Sequence, residues 1–407
     1  MKIILLILIS PASVLSGPAD QHATSLTKTL YNNLKKIARD PTKILFGQHK
    51  ATLSGASGGR APFKIHTHDG AFKSWEFTTN MVDNFHEDDL CDVKQVTGQY
   101  PAFTGFDFYQ MDSDWIKTVT YLTKKAYSRG MVVAMSWHVN NFANGGNAWS
   151  MGNEQHIVRE LLPGGKHPHH YMDILDKIAH WANSLLDSKG RHIPIIFRPF
   201  HESNGGWFWW GLGNRVNNTP KDLQDIYRYT VKYLRDTKGV HNFLYAFSPG
   251  SGYKSMTEDG GIASYMAAYP GDDYVDILGL DDYGDLSATS KLQKFVDYLN
   301  ELVTVAEKKD KIPALTEAGL TNSRINEVHN FWSDRVLSAI KGTRYVQKRD
   351  AAKRIAYMNT WTNYCSTTKC DLFTPYAGHP GEKYFVDFFK DPLMCFGDYV
   401  KQHDMYS

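Results

Sequence analysis

The sequence is short of cysteine, of excess charge and of long apolar runs. Its four cysteines leave at most two disulfide bonds, and their spacing is not that of a zinc site. The 45 basic and 43 acidic residues give a net charge of +2, which indicates no surface for nucleic acid or for an anionic membrane. No proline- or serine-rich linker and no repeat of fixed period divides the chain. We therefore expect one large domain, in which the 42% of hydrophobic residues form one core.

The N-terminus has the pattern of a secretory signal peptide over residues 1–16. Lys2 supplies the basic start, residues 3–9 form an apolar run too short to span a bilayer, and residues 14–16 are suited to cleavage before residue 17. The alternative is a buried first helix. The pattern predicts a secreted, extracellular protein without a membrane anchor. Export would permit glycosylation at Asn217, although the proline after this sequon disfavours its use.

Export also permits disulfide bonds between the four cysteines. Cys365 and Cys370 flank a loop of four residues and could close on each other, which would leave Cys91 and Cys395 to pair. Four cysteines allow three connectivities, and the sequence alone does not choose among them.

Short apolar runs alternate with amphipathic helical patterns along the chain. The eight runs cover residues 43–49, 102–108, 131–138, 193–200, 242–249, 275–283, 312–319 and 355–361. Helices are predicted over residues 24–38, 114–129, 171–188, 220–237 and 292–308. Eight strands that alternate with helices are typical of an α/β fold, a single (β/α)8 TIM barrel, and the alternative is a doubly wound open sheet. Residues 371–407 are rich in Phe and Tyr and are predicted to pack against the barrel.

Most of the eight runs end in a residue type that catalysis uses. These residues are His49, His138, His201, Glu202, Asp281, Asp282, Tyr283, Glu317 and Trp361. A barrel gathers the carboxyl ends of its strands on one face, where catalytic residues lie. Any one of them alone would more often be a structural hydrogen-bond partner. Two glutamates, after the fourth and seventh runs, shift that balance towards catalysis.

Two facing carboxyl groups are what the cleavage of a glycosidic bond requires. One must be protonated so that it can donate to the leaving oxygen, and the other must be ionised. Crowding in a partly dry site pushes the two pKa values apart. Glu202 and Glu317 are the candidates, with His201 and Tyr283 as neighbours that donate to one of them; packing at the barrel rim is the alternative for Tyr283.

Aromatic side chains follow Glu202 in a glycine-rich stretch. The chain holds 10 Trp, 23 Tyr and 21 Phe, which either fill a large core or offer flat surfaces for sugar rings. Residues 207–210 are all aromatic, and such a run after two glycines is not expected to point entirely inward. A histidine-rich tract at residues 167–170 lacks the carboxylate or cysteine spacing of a metal site, so it is interpreted as a surface loop, and no G-x-S-x-G motif is present.

At this point the motifs resemble a known family. Residues 198–202, Arg-Pro-Phe-His-Glu, followed by Asn-Gly-Gly-Trp-Phe-Trp-Trp-Gly at 204–211, are similar to the signature of glycoside hydrolase family 26, whose members are mostly endo-β-1,4-mannanases. Matching pieces lie in the family's order at Phe46-Gly47-Gln48-His49, Ser136-Trp137-His138, Asp282-Tyr283 and Thr316-Glu317-Ala318-Gly319.

The resemblance implies a (β/α)8 catalytic domain over residues 17–407 and a retaining mechanism. Glu202 corresponds to the acid/base and Glu317 to the nucleophile, whose carboxyl groups should lie about 5–5.5 Å apart. Residues that match positions binding the substrate or supporting the site are His138, Trp137, Arg198, His201, Trp207, Tyr283 and Trp361. The implied substrate is a β-mannan polysaccharide or manno-oligosaccharide. No metal, organic cofactor, nucleic acid or membrane partner is expected, and the protein should be a monomer.

Two alternatives to a mannanase stay open. The same scaffold could act on β-1,3-xylan or mixed-linkage β-glucan, or it could be a non-catalytic carbohydrate-binding barrel, although a binder has no need for both glutamates. The sequence also departs from the family. Ser203 stands where many members carry Met, and Thr362 stands where some bacterial members carry Arg, which weakens the expected hold on a sugar one position further from the cleavage point.

Overall fold

Eight parallel strands close into a barrel in the computed structural model, which describes residues 17–67, 73–84, 90–111, 113–213, 215–251, 261–365 and 370–407. The strands are β1 (Ile44–His49), β2 (Phe103–Asp107), β3 (Val132–Ser136), β4 (Ile195–Arg198), β5 (Phe243–Phe247), β6 (Ile277–Asp282), β7 (Ile312–Ala318) and β8 (Tyr357–Thr360). Each strand pairs with the next in sequence, and β8 pairs with β1. This closure confirms the (β/α)8 barrel and excludes the open sheet. The predicted signal peptide at residues 1–16 lies outside the described residues.

Helices surround the barrel and connect its strands. The longer helices are α1 (Ser25–Arg39), α2 (Asp114–Ser128), α3 (Pro168–Ser184), α4 (Pro220–Lys232), α5 (Leu292–Lys308) and α6 (Glu382–Lys390). Shorter α-helices are Thr79–Asp83, Asp92–Thr97, Ile157–Glu160, Gly261–Ala267, Ser338–Lys341 and Gly397–Gln402, with π-helical turns at Tyr233–Thr237 and Phe331–Leu337. Short 3-10 helices are Asp272–Tyr274, Asp285–Ser287, Thr289–Lys291, Arg324–Asn326 and Asp350–Lys353. Helix α4 begins as the sequence predicts: Pro220 stands in its first turn, and Thr219 and Asp222 form a capping box.

The strands bury both faces, in two separate cores. Leu45, Ile196 and Leu244 point into the barrel and share a core with Leu30 and Leu34 of α1, which closes the bottom. The alternate residues of the strands point outward into a second core between the sheet and the other helices. This two-sided burial explains why the strands read as continuous apolar runs.

The C-terminal segment packs against the barrel beside β1, as predicted. Its strand Met394–Cys395 pairs with β1, and α6 places Phe385 and Phe388 against Phe46 with ring centroids 5.6 Å and 5.3 Å away. Three small strands that the sequence did not reveal, Ser54–Gly55, Lys64–Thr67 and Lys73–Glu76, form an antiparallel sheet after β1. A hairpin of Tyr364–Cys365 and Cys370–Asp371 follows β8.

The cysteines form one disulfide bond. Cys365 and Cys370 are joined across that hairpin, as their spacing allowed. Cys91 and Cys395, which this closure left as a possible second pair, are not joined by a disulfide bond, and both are buried. Burial raises the pKa of the Cys395 thiol to about 11, so it stays protonated.

The described helices are all unsuited to crossing a lipid bilayer, since none combines the necessary length with an apolar surface.

Candidate active site

The loop after β4 carries Glu202 into the mouth of the barrel. Phe200 and Glu202 both adopt left-handed backbone conformations, with φ of 54° and 51°, which non-glycine residues rarely do. The backbone N–H of Glu202 donates to the carbonyl of Ser248 at the end of β5, across 2.8 Å. Two strained residues and a bond to the next strand thus hold the carboxyl group in place.

A bulge in β7 aims the second glutamate at the first. Leu315 pairs with Leu280 of β6, but Glu317 pairs with Asp281, so Thr316 is an extra residue on β7. The Thr316 hydroxyl donates to Asp281 across 2.6 Å, which keeps Thr316 inside the barrel. Without the bulge, strand alternation would send Glu317 outward. The extra residue turns it into the mouth.

Three carboxyl groups meet there. One oxygen each of Glu202, Asp281 and Glu317 lie within 4.8 Å of one another. The guanidinium of Arg198, from the last position of β4, donates to Glu317 Oε1 and, across 2.7 Å, to Asp281 Oδ2. This buried cation balances the charge of the group, and the attraction of Asp281 and Glu317 raises the pKa of Arg198 although burial lowers it.

The environment of Glu202 favours its neutral form. Burial, followed by the charge of Glu317, raises the pKa of Glu202 to about 8. The indole N–H of Trp207 donates to Glu202 Oε2 across 2.6 Å and partly opposes that rise. Gly205 makes this contact possible, because a Cβ at that position would collide with the Trp207 ring. Glu202 is therefore protonated near neutral pH.

Donors surround the carboxylate of Glu317 instead. Arg198 binds one of its oxygens, and the hydroxyl of Tyr283 donates to the other across 2.7 Å. Burial and the charge of Glu317 raise the pKa of Tyr283, so its hydroxyl keeps the proton that it donates. The two donors, one on each oxygen, hold the carboxylate in one orientation.

A histidine pair borders the carboxyl groups. Asp107, at the end of β2, accepts hydrogen bonds from the ring Nδ1 and the backbone N–H of His138, and from the Ser136 hydroxyl at 2.7 Å. Burial favours a raised pKa for Asp107, but the charge and hydrogen bonds of His138 outweigh it and lower the pKa. The anchored His138 presents its Nε2 3.2 Å from Nε2 of His201.

The predicted contact of His201 with a glutamate is wrong. Its Nε2 lies against His138, and its Nδ1 has no hydrogen-bond partner among the described residues. Burial, and then the charge of Arg198, lower the pKa of His201, so it is a neutral residue that supports His138.

Trp137 does not reach the mouth either. It is 1% exposed and stacks on Tyr171 of α3, with ring centroids 5.9 Å apart and an angle of 15° between the planes. Strand alternation is the cause: Ser136 points into the barrel, so Trp137 points to the helices and packs under the site.

The aromatic run at residues 207–210 divides in two. Phe208, Trp209 and Trp210 are buried, and the indole N–H groups of the two tryptophans donate to Val139 and His201 carbonyls across 2.9 Å. These rings position the loop. Only Trp207 stays partly exposed, so the run does not point entirely inward, as expected, although three of its four rings do.

A cleft of about 400 Å³ opens from the mouth along the ends of β1, β2, β3 and β8. Trp361, after β8, lines it, and one face of its ring stacks on His49 with centroids 4.5 Å apart. Its lining also includes side chains that sequence reasoning missed, namely Lys50, Glu76, Tyr109, Trp115, Trp149, Tyr364 and Asp371. Trp115 lies in the first turn of α2, and the others lie in loops and small strands; none belongs to a recognisable motif. Asp107 was missed although it is the penultimate residue of the predicted strand at residues 102–108, and this position was a usable signal.

The family model of glycosyl hydrolase family 26 matches residues 19–351. The chain belongs to glycosyl hydrolase family 26. Among solved structures, the catalytic domain of the Bacillus sp. JAMB-750 GH26 endo-β-1,4-mannanase is 32% identical, with a TM-score of 0.77 and 96% of each chain covered. A double mutant of the Cellulomonas fimi endo-β-1,4-mannanase is 31% identical, with the same TM-score, 96% of this chain and 79% of that chain covered.

A curated relative is longer than this chain. The mannan endo-1,4-β-mannosidase of Bifidobacterium adolescentis is 31% identical over 392 residues, which cover 91% of this chain and 34% of that protein. The chain thus spans about a third of its length. Within the shared barrel, the family 26 motifs recognised in the sequence fall on the strand ends that meet at the mouth.

Proposed function

We propose that this family 26 protein is a retaining endo-β-1,4-mannanase, which hydrolyses internal β-1,4-mannosidic bonds of mannan, glucomannan or galactomannan. The observation that carries the proposal is the pair Glu202 and Glu317, with oxygens within 4.8 Å of each other and opposite surroundings. Retaining glycosidases hold their carboxyl groups about 5–5.5 Å apart, whereas inverting enzymes need about 6.5–9.5 Å to admit a water.

In the first step, Glu317 attacks the anomeric carbon. Arg198 and Tyr283 hold its carboxylate in one orientation and leave the attacking lone pair to the sugar. The bond from carbon to the leaving oxygen breaks, and the proton of Glu202 passes to that oxygen. A covalent glycosyl ester on Glu317 and a shortened sugar chain result.

In the second step, Glu202 acts as a base. It has lost its proton and removes one from a water molecule, whose oxygen attacks the anomeric carbon. The ester bond breaks and Glu317 recovers its carboxylate. Two displacements return the original configuration. Trp207 keeps the Glu202 carboxyl group in place throughout, because its N–H can donate to either protonation state.

The β-mannan substrate rests on family 26 membership and on the names of the relatives. Mannanases from Bacillus, Cellulomonas and Bifidobacterium share the barrel or much of the sequence. The open cleft beside Trp361 supports an endo-acting mode, because a polymer can lie along it.

We test this by measuring reducing ends released from linear β-1,4-mannan, mixed-linkage β-glucan and β-1,3-xylan. The wild-type protein should cleave mannan, and Glu317→Ala should abolish the cleavage; Glu327→Ala, on the surface, is the matched control. Cleavage of another polymer alone would replace the substrate and keep the mechanism. Binding without cleavage of any polymer would make the protein a carbohydrate-binding barrel.

We further propose that the protein is exported and acts as a monomer. The disulfide between Cys365 and Cys370 supports export, because such bonds persist in oxidising compartments. The secreted protein should begin at Gly17 by N-terminal sequencing and run as one chain in sedimentation. Retention in the cell with residues 1–16 intact, or a concentration-independent dimer, would contradict these points.

A further inference from the structure

Lys50 lies at the entrance of the cleft, directly after β1. Its backbone is left-handed, with φ of 54°, and its N–H donates to the carbonyl of Gly105 at 2.8 Å. This turn directs the side chain between two tryptophans. The ammonium lies 5.1 Å from the ring centroid of Trp115 and 5.5 Å from that of Trp361.

The N–H groups of the Lys50 ammonium are available to a ligand. Within the described part of the chain, no acceptor lies within hydrogen-bond or ion-pair distance of it, so two ring faces are its direct contacts. Asp107 and Glu76 also line the cleft. Burial lowers the pKa of Lys50, but the charges of Asp107, Glu76 and Glu317 oppose the shift. A half-buried ammonium with three donors is suited to bind hydroxyl oxygens.

The surface around Lys50 is aromatic and open. Of the four large hydrophobic side chains that are exposed among the described residues, three line this cleft: Trp149, Tyr109 and Tyr364, which are 54%, 39% and 41% exposed. Exposed rings gathered on one surface mark a binding site. Flat rings beside a cation with free donors fit a sugar, whose ring has apolar faces and hydroxyl edges.

The cleft extends away from the acid. It is lined from the ends of β1, β2, β3 and β8, whereas Glu202 follows β4 and bonds to Trp207 in the same loop. The acid must face the leaving sugar. The cleft therefore receives the sugars on the other, non-reducing side of the cleaved bond.

Thr362 cannot supply a cation there. Its hydroxyl lies in the buried layer, where it bonds to Asn363 O at 3.2 Å and to Ser54 Oγ at 3.1 Å. Lys50 also lines this cleft and does carry a cation, whose nitrogen lies 5.5 Å from the ring centroid of Trp361.

We propose that Lys50 determines chain-length specificity by donating hydrogen bonds to a hydroxyl of the sugar next to the cleaved one, on its non-reducing side. This inference rests on the proposed mannanase activity. The alternative is that Lys50 only holds Trp115 and Trp361 apart, which would affect short and long substrates alike.

Two aryl glycosides separate these roles. A nitrophenyl β-mannoside occupies one sugar position before the cleaved bond, and a nitrophenyl β-mannobioside occupies two. Lys50→Met should lower kcat/KM for the mannobioside about tenfold to a hundredfold, the range for a hydrogen bond to a charged group, and leave the mannoside unchanged. Lys50→Arg, which keeps the charge, should restore part of the loss. Lys124→Met, exposed on α2, is the charge-matched control.

Each outcome is informative. An equal loss on both glycosides, or no loss on the mannobioside, would overturn the role of Lys50. If the wild-type protein cleaves neither the mannobioside nor mannan, the proposed function fails, whatever Lys50 does.

Discussion

The indole N–H of Trp207 donates to a carboxyl oxygen of Glu202 across 2.6 Å, from five residues further along the same loop. The pKa of Glu202 is thus affected by a residue of its own loop. Glu317, in contrast, accepts hydrogen bonds from Arg198 and Tyr283, which lie at the ends of two other strands. The two glutamates therefore have separate hydrogen-bond partners, and the pKa of Glu202 is raised to about 8. This arrangement makes each partner testable on its own.

Replacing Trp207 should move the alkaline limb of the pH profile. Trp207→Phe keeps an aromatic ring but removes the donor that lowers the pKa of Glu202, so that pKa should rise above its value of about 8. Because Glu202 must be protonated to act as an acid, activity should persist to higher pH. The measurement is kcat/KM for a β-mannobioside with a poor leaving group from pH 5 to 10.

Trp361→Phe is the control for that shift. Trp361 lines the cleft and stacks on His49, but it does not bond to Glu202. Its loss should lower kcat/KM without moving the alkaline limb. An unchanged or lowered limb in Trp207→Phe would contradict the tuning of Glu202.

Removing the Tyr283 hydroxyl should slow the attack of Glu317. Tyr283→Phe deletes a 2.7 Å hydrogen bond to the nucleophile, and we expect kcat to fall about tenfold to a hundredfold while the fold persists. Pre-steady-state release of a dinitrophenyl leaving group measures this step. Tyr298→Phe, whose hydroxyl donates to Gly261 O away from the mouth, should leave the rate unchanged. Equal rates for both variants would exclude a role for Tyr283.

Arg198 should be necessary for stability as well as for activity. Arg198→Met leaves Asp281 and Glu317 buried without their cation, and the free energy of unfolding should drop by about 3–5 kcal/mol. Urea denaturation measures the change. Arg349→Met breaks an ion pair with Asp297 that is about one-third exposed, and it should cost about 0–1 kcal/mol. Similar losses for the two variants would contradict the account of the buried group.

Glu202→Gln should stabilise the protein at alkaline pH. The folded-state pKa of Glu202 is raised from 4.5 to about 8, so the folded protein holds this proton more tightly than the unfolded chain. Stability is therefore lost as the pH rises from about 4.5 to about 8. The neutral amide avoids that loss, and its Tm should exceed the wild-type Tm more at pH 9 than at pH 5.

Glu154→Gln tests the opposite sign. Hydrogen bonds from Lys166 and His167 lower the pKa of Glu154 despite some burial, so its charge contributes stability at alkaline pH. Its removal should leave the Tm at pH 9 unchanged or lower. The quantity compared is the Tm of each variant minus the wild-type Tm. If this difference grew from pH 5 to pH 9 for Glu154→Gln, or did not grow for Glu202→Gln, the assigned shifts would be contradicted.

The strands could be predicted from the sequence, because strands that are buried on both faces are continuous apolar runs. Their number and alternation with helices also predicted that their carboxyl ends lie together at one face of a barrel. The run at residues 275–283 became β6, Ile277–Asp282, and carried Asp281 and Tyr283 to the mouth. The placement of Trp137 was also open to prediction, since the period of a strand puts neighbours of Ser136 on the helix side.

Local backbone irregularities were beyond prediction from the sequence. Threonine is not a residue type that predicts a bulge, yet Thr316 is the extra residue in β7. Glutamate and lysine do not favour a left-handed conformation, yet Glu202 and Lys50 adopt it. These features depend on contacts with neighbouring strands: the bulge bonds to Asp281 of β6, Glu202 to Ser248 after β5, and Lys50 to Gly105 of β2. Long-range contacts of this kind decide where the side chains point.

The most direct test of the central claim is to trap the sugar on Glu317. Glu202→Ala should still react with dinitrophenyl β-mannobioside, because that leaving group needs no acid, but it should hydrolyse the covalent intermediate slowly. Intact mass spectrometry should then show one added mannobiosyl unit, which peptide mapping places on Glu317. No adduct, together with a first-formed product of inverted configuration, would contradict the assignment of Glu317 as the nucleophile.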